Sequence, residues 1–277
     1  MGMRRVAVRT AKAATEAALD KGQREADGAQ SIHRAIDIIR LISASPADGM
    51  KLVDIAEGCG LSHPTAYRIL RALESEGVVE RAGDSKRYVI GTEVAWLGLK
   101  AAQRFPIAAL AAPALDRASI EVGDTLLLSV RSGDFSVCVE RRAGRFPIPV
   151  TVAAVGARLP LNTTPAGRTM LAFMSPRGPR PKLAAALDDG PGSEVAQTRL
   201  QGYLVSDGLT VRDTKSVTVP IFDAGGHAIA ALSAITAANR LHEERLASVV
   251  SALSTCARAT SGALVRHVAE RAMAGAS

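Results

Sequence analysis

Gly60-Leu61-Ser62-His63-Pro64-Thr65-Ala66-Tyr67-Arg68-Ile69-Leu70-Arg71-Ala72-Leu73 reads as a tight turn running into a helix. Gly60 supplies the left-handed residue that such a turn needs. Ser62 is placed to cap the helix, and Pro64 falls in the first turn, where its missing N–H is harmless. Ala66, Ile69, Leu70 and Leu73 share one face at helical spacing. The opposite face carries His63, Thr65, Tyr67, Arg68 and Arg71, with Glu74 only beyond them. A helix that is apolar on one side, and polar without carboxylates on the other, can sit on its own domain while approaching DNA.

The flanking sequence completes the pattern. Upstream, Leu52, Ile55 and Ala56 form the inner side of a short helix ending at Gly58-Cys59-Gly60. Before it, Ile32, Ala35, Ile36, Ile39 and Ile42 make a stripe on a helix that Ser31 would cap, and Ser45-Pro46-Ala47-Asp48-Gly49 separates the two. Downstream of Gly77, residues 78–81 and 87–90 read as strands about a hairpin loop at 82–86. Helix, helix-turn-helix and hairpin in that order make a winged helix-turn-helix over residues 31–91. Arg68 and Arg71 suit guanine or phosphate, and Ser62 and Thr65 suit phosphate or base edges. Arg81, Lys86 and Arg87 place cations around the wing. A polar helix face alone would indicate no more than a solvated hairpin; order, turn chemistry and wing together favour DNA.

The chain has 277 residues, enough for one large domain or two ordinary ones. Aromatic residues are only 3%, with Trp96 the single tryptophan, so the cores must be built from Ala, Val, Leu and Ile. No apolar run approaches the ~20 residues of a membrane helix, and the first residues lack the apolar core of a secretory signal. Cys59, Cys138 and Cys256 are too far apart for a zinc cluster and odd in number, which points to a reducing, cytoplasmic setting. The net charge of +7 is diffuse: residues 31–91 carry eight basic and eight acidic groups, so the argument for DNA rests on local placement. Residues 1–30, rich in Ala, Lys, Arg and Glu, read as a flexible arm.

Beyond the wing, a helical pattern at 92–103 acts as a linker and is broken at Phe105-Pro106, and a further helix runs to about residue 122. Strands are expected at 125–131, 136–142, 216–221 and 228–235, with turns at Ser132-Gly133-Asp134 and Asp223-Ala224-Gly225-Gly226. Helices are expected at 165–174 and 241–266, with a Pro/Gly-rich stretch at 175–181. This is an α+β pattern. Thr163-Thr164-Pro165-Ala166-Gly167 reads either as an ordinary capped helix or as a helix start whose free amides accept an anion. There is no nucleophile elbow, phosphate loop or zinc-protease motif, the five histidines are scattered, and Cys138 sits in an apolar strand pattern as a core residue. No enzyme, metal or cofactor is expected.

The chain resembles the isocitrate-lyase-regulator (IclR) type of bacterial transcription factor. The resemblance rests on residues 31–39, on Asp54-Ile55-Ala56 with Gly60 to Leu70, on Leu73-Glu74-Ser75-Glu76-Gly77, and on Tyr88-Val89-Ile90-Gly91. In the second half it rests on Val155 to Leu161, Thr164 to Arg168, Gly202-Tyr203, Val219 to Asp223 and Ala231-Leu232-Ser233. It covers about residues 31–270. It implies an N-terminal winged helix-turn-helix (31–91), a linker helix (92–105) and a GAF-like α/β effector-binding domain (106–277). It further implies a transcriptional regulator whose operator binding is modulated by a small organic acid, controlling catabolic genes. The effector would lie against Thr163, Thr164, Pro165, Ala166, Gly167, Ser206, Ser216, Ser233 and Ile235. The chain departs from the commonest family pattern at Gly208-Leu209, Asp213, Ser216 and Ile235, so the effector's identity does not carry over.

A homodimer or dimer of dimers on a near-palindromic double-stranded operator is expected. Val94, Trp96 and Leu97 of the linker helix are the candidate dimer contact. Two readings from other classes stand beside this one: a sensor acting through protein contacts, separated by salt-dependent operator binding, and an enzyme using the C-terminal pocket, revealed by turnover.

Overall fold

Isoleucine spaced along residues 32–42 builds the first helix, α1 (Gln30–Ser43), but on a different face from the one expected. Ile38, Leu41 and Ile42 are buried, whereas Ile32 and Ile36 are exposed. The helix begins one residue before Ser31, at an Ala29 cap, so Ser31 does not serve as the cap. The computed structural model describes residues 29–83, 85–146, 154–175, 190, 192–209 and 213–274; all but the last two residues of the N-terminal arm expected at 1–30, and most of the Pro/Gly-rich stretch, lie outside the described residues. The chain divides into two compact units, Met1–Phe105 and Pro106–Ser277.

In the first unit, α1 is followed by a short strand β1 (Met50–Lys51), then α2 (Leu52–Cys59) and α3 (His63–Ser75). Gly60 joins α2 to α3 at φ 63°, the left-handed conformation expected of it. Then come β2 (Val79–Arg81), β3 (Arg87–Ile90) and α4 (Thr92–Arg104). The three strands pair antiparallel in the order β1-β3-β2, with Met50 opposite Tyr88 and Val79 opposite Ile90. Ile38, Ile42, Ile55, Leu70, Val79 and Tyr88 form the core beneath α3. The Glu80 carboxylate accepts bonds from the Thr92 amide (2.7 Å) and hydroxyl (2.9 Å), so a strand residue caps the start of α4. Those bonds hold the Glu80 carboxyl below its ordinary value. No residue of α4 is buried, and Trp96, Leu97 and Leu99 are each about 60% exposed.

The second unit opens with α5 (Ile107–Val122), then β4 (Thr125–Ser132), β5 (Phe135–Arg142) and β6 (Arg158–Pro160). A 3₁₀ turn (Leu161–Thr163) leads into α6 (Pro165–Ala172), followed by α7 (Glu194–Gln201), β7 (Leu204–Asp207), β8 (Thr214–Phe222), β9 (Ala228–Ala237) and α8 (Glu243–Ala274). The closing helix runs past its expected end at 266. The six strands form one sheet in the order β6-β5-β4-β9-β8-β7, every pair antiparallel.

Strand alternation gives this sheet two different faces. Leu126, Leu128, Val217, Val219, Ile221, Ala230, Leu232 and Ala234 pack with Ala111, Leu115 and Ala118 of α5 and with Val249, Leu253 and Cys256 of α8. The small residues bring helices close to strands, which is how a chain poor in aromatics fills its core. On the other face, Leu161 and Met170 pack with Ala228 and Ala231 beneath α6. Phe173 meets Phe222 edge-on there at 5.5 Å. Asp124, 5% exposed, takes Arg240 at 3.3 Å and Arg245 more closely, and Arg245 also donates to the Val122 carbonyl. The start of α8 is thereby tied to the turn between α5 and β4.

Candidate functional site

The polar face of α3 emerges as expected. Ser62, His63, Tyr67, Arg68 and Arg71 are exposed, while Ala66 and Leu70 are fully buried beneath them. Ser62 stands at the cap position, but its hydroxyl lies 2.8 Å from the Thr65 hydroxyl rather than on a helix amide. The wing cations separate into different roles. Lys86 is exposed. Arg87 turns away from the hairpin tip, donating to the Gly49 carbonyl at 2.7 Å and lying 3.5 Å from Asp48, so it braces β1 rather than the wing surface. Arg81 stacks 4.0 Å from the ring centre of Tyr88 and pairs with Glu74 at 3.4 Å, and Arg71 reaches Glu74 at 3.5 Å. Tyr88 is buried with its hydroxyl unpartnered, and burial raises that hydroxyl's pKa.

The C-terminal unit holds a cavity between the sheet and the start of α6. Its walls are Leu127, Ser129, Ser136, Cys138, Ser233 and Ile235 from the strands, Ala157 and Leu159 from the β6 edge, and Thr164, Pro165 and Ala166. Of the nine residues expected around an effector, the structure brings Thr164, Pro165, Ala166, Ser233 and Ile235 together on this cavity. Ser206 and Ser216 share the same sheet face farther along, bonded to each other at 2.7 Å. Thr163 is exposed, its hydroxyl donating to the Pro160 carbonyl.

The helix start is less open than its sequence suggests. Pro165 has no N–H, and the Gly167 amide donates to the Thr164 hydroxyl at 3.0 Å. Gly167 is small for a reason other than ligand access: a Cβ there would meet the Leu161 carbonyl oxygen at 2.1 Å. That leaves the Ala166 amide as the candidate anion donor of that first turn.

Three hydroxyl or thiol groups of the cavity wall, Ser129, Ser136 and Cys138, were not among the expected binding residues. Burial pushes the Cys138 thiol above its ordinary value, against the lowering effect of a backbone hydrogen bond at Glu140. Arg141 is a further addition. It pairs across from Leu127, a cavity residue, and its buried Nε has no hydrogen-bond partner. Its positive charge is felt at Cys138. Asp213, where the family resemblance places a glycine, adopts a left-handed φ of 59°. The turn Asp223-Ala224-Gly225-Gly226 is the expected hairpin turn, with the Asp223 carboxylate accepting from the Gly225 and His227 amides. Among the described residues no group of three or more His, Cys, Asp or Glu side chains is placed to hold a metal, and no helix is long and apolar enough to cross a membrane.

Comparison with known proteins agrees with both units. The family model of the IclR helix-turn-helix domain matches residues 31–83, and that of the bacterial transcriptional regulator IclR C-terminal domain matches residues 99–187 and 192–262. The HTH-type transcriptional regulator XynR of Escherichia coli is 26% identical over 250 residues, covering 85% of this chain and 97% of its own length. The crystal structure of the Thermotoga maritima IclR superposes with a TM-score of 0.59 at 27% identity, covering 85% of this chain and 98% of that one. An IclR homologue from Microbacterium hydrocarbonoxydans, crystallised with 4-hydroxybenzoate, shares the fold with a TM-score of 0.68 at 22% identity, over 84% of this chain and 98% of its own. With a winged helix-turn-helix in one unit, a six-stranded sheet domain in the other, and both matched by their family models, the chain belongs to the IclR family of bacterial transcriptional regulators.

Proposed function

We propose that this regulator binds a specific operator through α3 and the wing, and that a small organic acid in the cavity beside α6 modulates that binding. The working parts would be residues 31–91 for DNA, 92–105 as linker and 106–277 as a GAF-like effector domain. Arg68, with His63, Thr65 and Tyr67, would read or flank base edges, and Arg71, Arg81 and Lys86 would meet phosphate. A homodimer on a near-palindromic site fits a single winged helix per chain. Val94, Trp96 and Leu97 of α4 remain its candidate contact, with the exposed Leu99 beside them. The chain acts in the cytoplasm, by binding rather than by turnover.

The observation that carries the effector reading is the makeup of the cavity: apolar walls, hydroxyls at Ser129, Ser136, Thr164 and Ser233, and, on the same sheet face, an Arg141 whose buried Nε has no hydrogen-bond partner. A binding site of mostly apolar surface with a few converging polar groups is the usual form for a small ligand. The cationic partner of a carboxylate is then Arg141, with the Ala166 amide and the hydroxyls beside it. The 4-hydroxybenzoate of the Microbacterium relative belongs to the same ligand class. At about 40 Å³ the cavity has room for a few waters.

The test is calorimetric titration of aromatic and short aliphatic monoacids into the wild-type chain, Arg141→Ala and Ala166→Asp, beside an operator-binding assay. Both variants are expected to lose the acid and keep DNA binding. Unaltered acid affinity in both would place the effector elsewhere.

A further inference from the structure

Glu74, the carboxylate just beyond the polar face of α3, reaches back to a cation of that face and to one of the wing. Glu74 lies in the last turn of α3, half-buried, and takes two cations from two elements: Arg71, one helical turn earlier, at 3.5 Å, and Arg81, at the end of β2, at 3.4 Å. Tyr88 feels Arg81, Glu74 and Arg71 together, so the three charges form one cluster at the junction of recognition helix and wing. We infer that Glu74 is a built-in stand-in for DNA phosphate: it occupies the two arginines until a nucleic-acid backbone displaces it. This rests on the reading that α3 and the wing meet DNA.

Structural need does not account for the carboxylate. Arg81 is already placed by strand pairing opposite Tyr88 and by stacking on that ring at 4.0 Å. Exposed ion pairs of this kind add little to stability. The Arg71 contact is also loose. Its side chain is 62% exposed, and the Glu74 Oε2 that it approaches makes no hydrogen bond. A phosphate oxygen offers both guanidinium groups better geometry than this carboxylate does, because Arg pairs with phosphate through paired N–H donors. Displacement then leaves Glu74 as a local repulsion against the phosphate backbone. Its effect is independent of base sequence, since phosphate contacts set affinity and register rather than base choice.

The experiment measures binding of the full-length wild type, Glu74→Gln and Arg68→Ala to operator and to unrelated duplex DNA over a range of salt. Glu74→Gln should bind both duplexes about five- to twentyfold more tightly. Its log–log salt slope should steepen by about one to two, the number of arginines released to phosphate. The gain should vanish when Arg71→Gln and Arg81→Gln are combined with it. Weaker binding, or tighter binding with an unchanged slope, would overturn the inference and make Glu74 a brace for the wing. A second measurement needs no variant: the ¹³C signal of the Glu74 carboxyl in the wild-type chain should shift when DNA is added, and an unmoved signal in the saturated complex also refutes it. If wild type binds no duplex, the DNA reading of α3 itself has failed. If Arg68→Ala loses operator preference while Glu74→Gln changes nothing, only the present inference has failed.

Discussion

Replacing Gly167 by alanine should destabilise the C-terminal unit although it improves the helix that carries it. Alanine in a helix interior is favoured over glycine by about 1 kcal/mol, so propensity alone would raise the melting temperature. The added Cβ, however, would stand 2.1 Å from the Leu161 carbonyl oxygen, 2.5 Å from its Cα and 2.6 Å from its carbonyl carbon. All three are backbone atoms of the 3₁₀ turn, which cannot swing aside as a side-chain tip could. Overpacking of this kind costs about 3 kcal/mol, the upper end of the usual range. The net loss is about 2 kcal/mol, or roughly 4–8 °C in Tm for a unit of this size. Gly262, inside α8, is the control, since a Cβ there would touch only the Arg266 guanidinium at 3.4 Å. Gly262→Ala should therefore gain up to about 1 kcal/mol and raise Tm by roughly 2–4 °C. Scanning calorimetry of the full chain, reading the transition of the C-terminal unit, measures both. If Gly167→Ala melts at or above wild type, α6 is not seated against the Leu161 turn as described.

Arg68→Ala should weaken operator binding by ~1–3 kcal/mol while leaving the melting temperature unchanged, and Lys86→Ala should weaken all duplexes alike and flatten the salt slope; both are read by fluorescence anisotropy at several salt concentrations. Asp124→Ala should cost about 3 kcal/mol in chemical denaturation, because it leaves the Arg240 and Arg245 guanidinium groups without the buried carboxylate they share. A destabilisation below a few tenths would mean that the cluster is dispensable. The Glu80 cap carries a pH signature. Its folded pKa is depressed, so its contribution is complete above the ordinary glutamate value of 4.5 and is lost as pH falls through the lower folded value. Thermal melts of wild type and Glu80→Gln should therefore converge on acidification below pH 4.5 and stay apart at neutral pH.

The elements most legible in the sequence were those whose signals are local. The turn at Gly60, the polar and apolar faces of α3 and the strand at 87–90 all follow from side chains within a few positions of one another. The face of α1 was not legible, since isoleucine at 32, 36, 38, 39 and 42 furnishes two overlapping stripes, and only packing against α3 and β3 decides between them. The strands β1, β6 and β7 and the helix α7 went unseen. They are two to eight residues long, polar in part, and take their form from neighbours distant in the chain. For the cavity, the helix start and Ser233 and Ile235 of β9 were recognisable through the family resemblance, but Arg141, on the same sheet face, was not. Simple alternation from Cys138 puts Arg141 on the opposite face; a register shift at Leu128/Ser129 places Cys138 opposite Ser129 and Arg141 opposite Leu127, on one face together. Such an irregularity leaves no mark in the residue pattern itself.

The alternation along β8 and β9 has a practical consequence for anyone wishing to retune this protein as a biosensor. On these strands the odd and even positions answer to different masters: Val217, Val219, Leu232 and Ala234 are committed to the helices, whereas Ser216, Thr218, Ser233 and Ile235 look toward the opposite side. A mutant library confined to the second set leaves the helix-packed core of the scaffold intact while it searches for new chemical preferences. Within that set Thr218 and Ser233 are best varied as a couple, because their hydroxyls are bonded at 2.9 Å and a lone replacement strands the other in a buried place. If the cavity takes an acid as proposed, its preference can be varied one residue away from positions that the fold cannot spare.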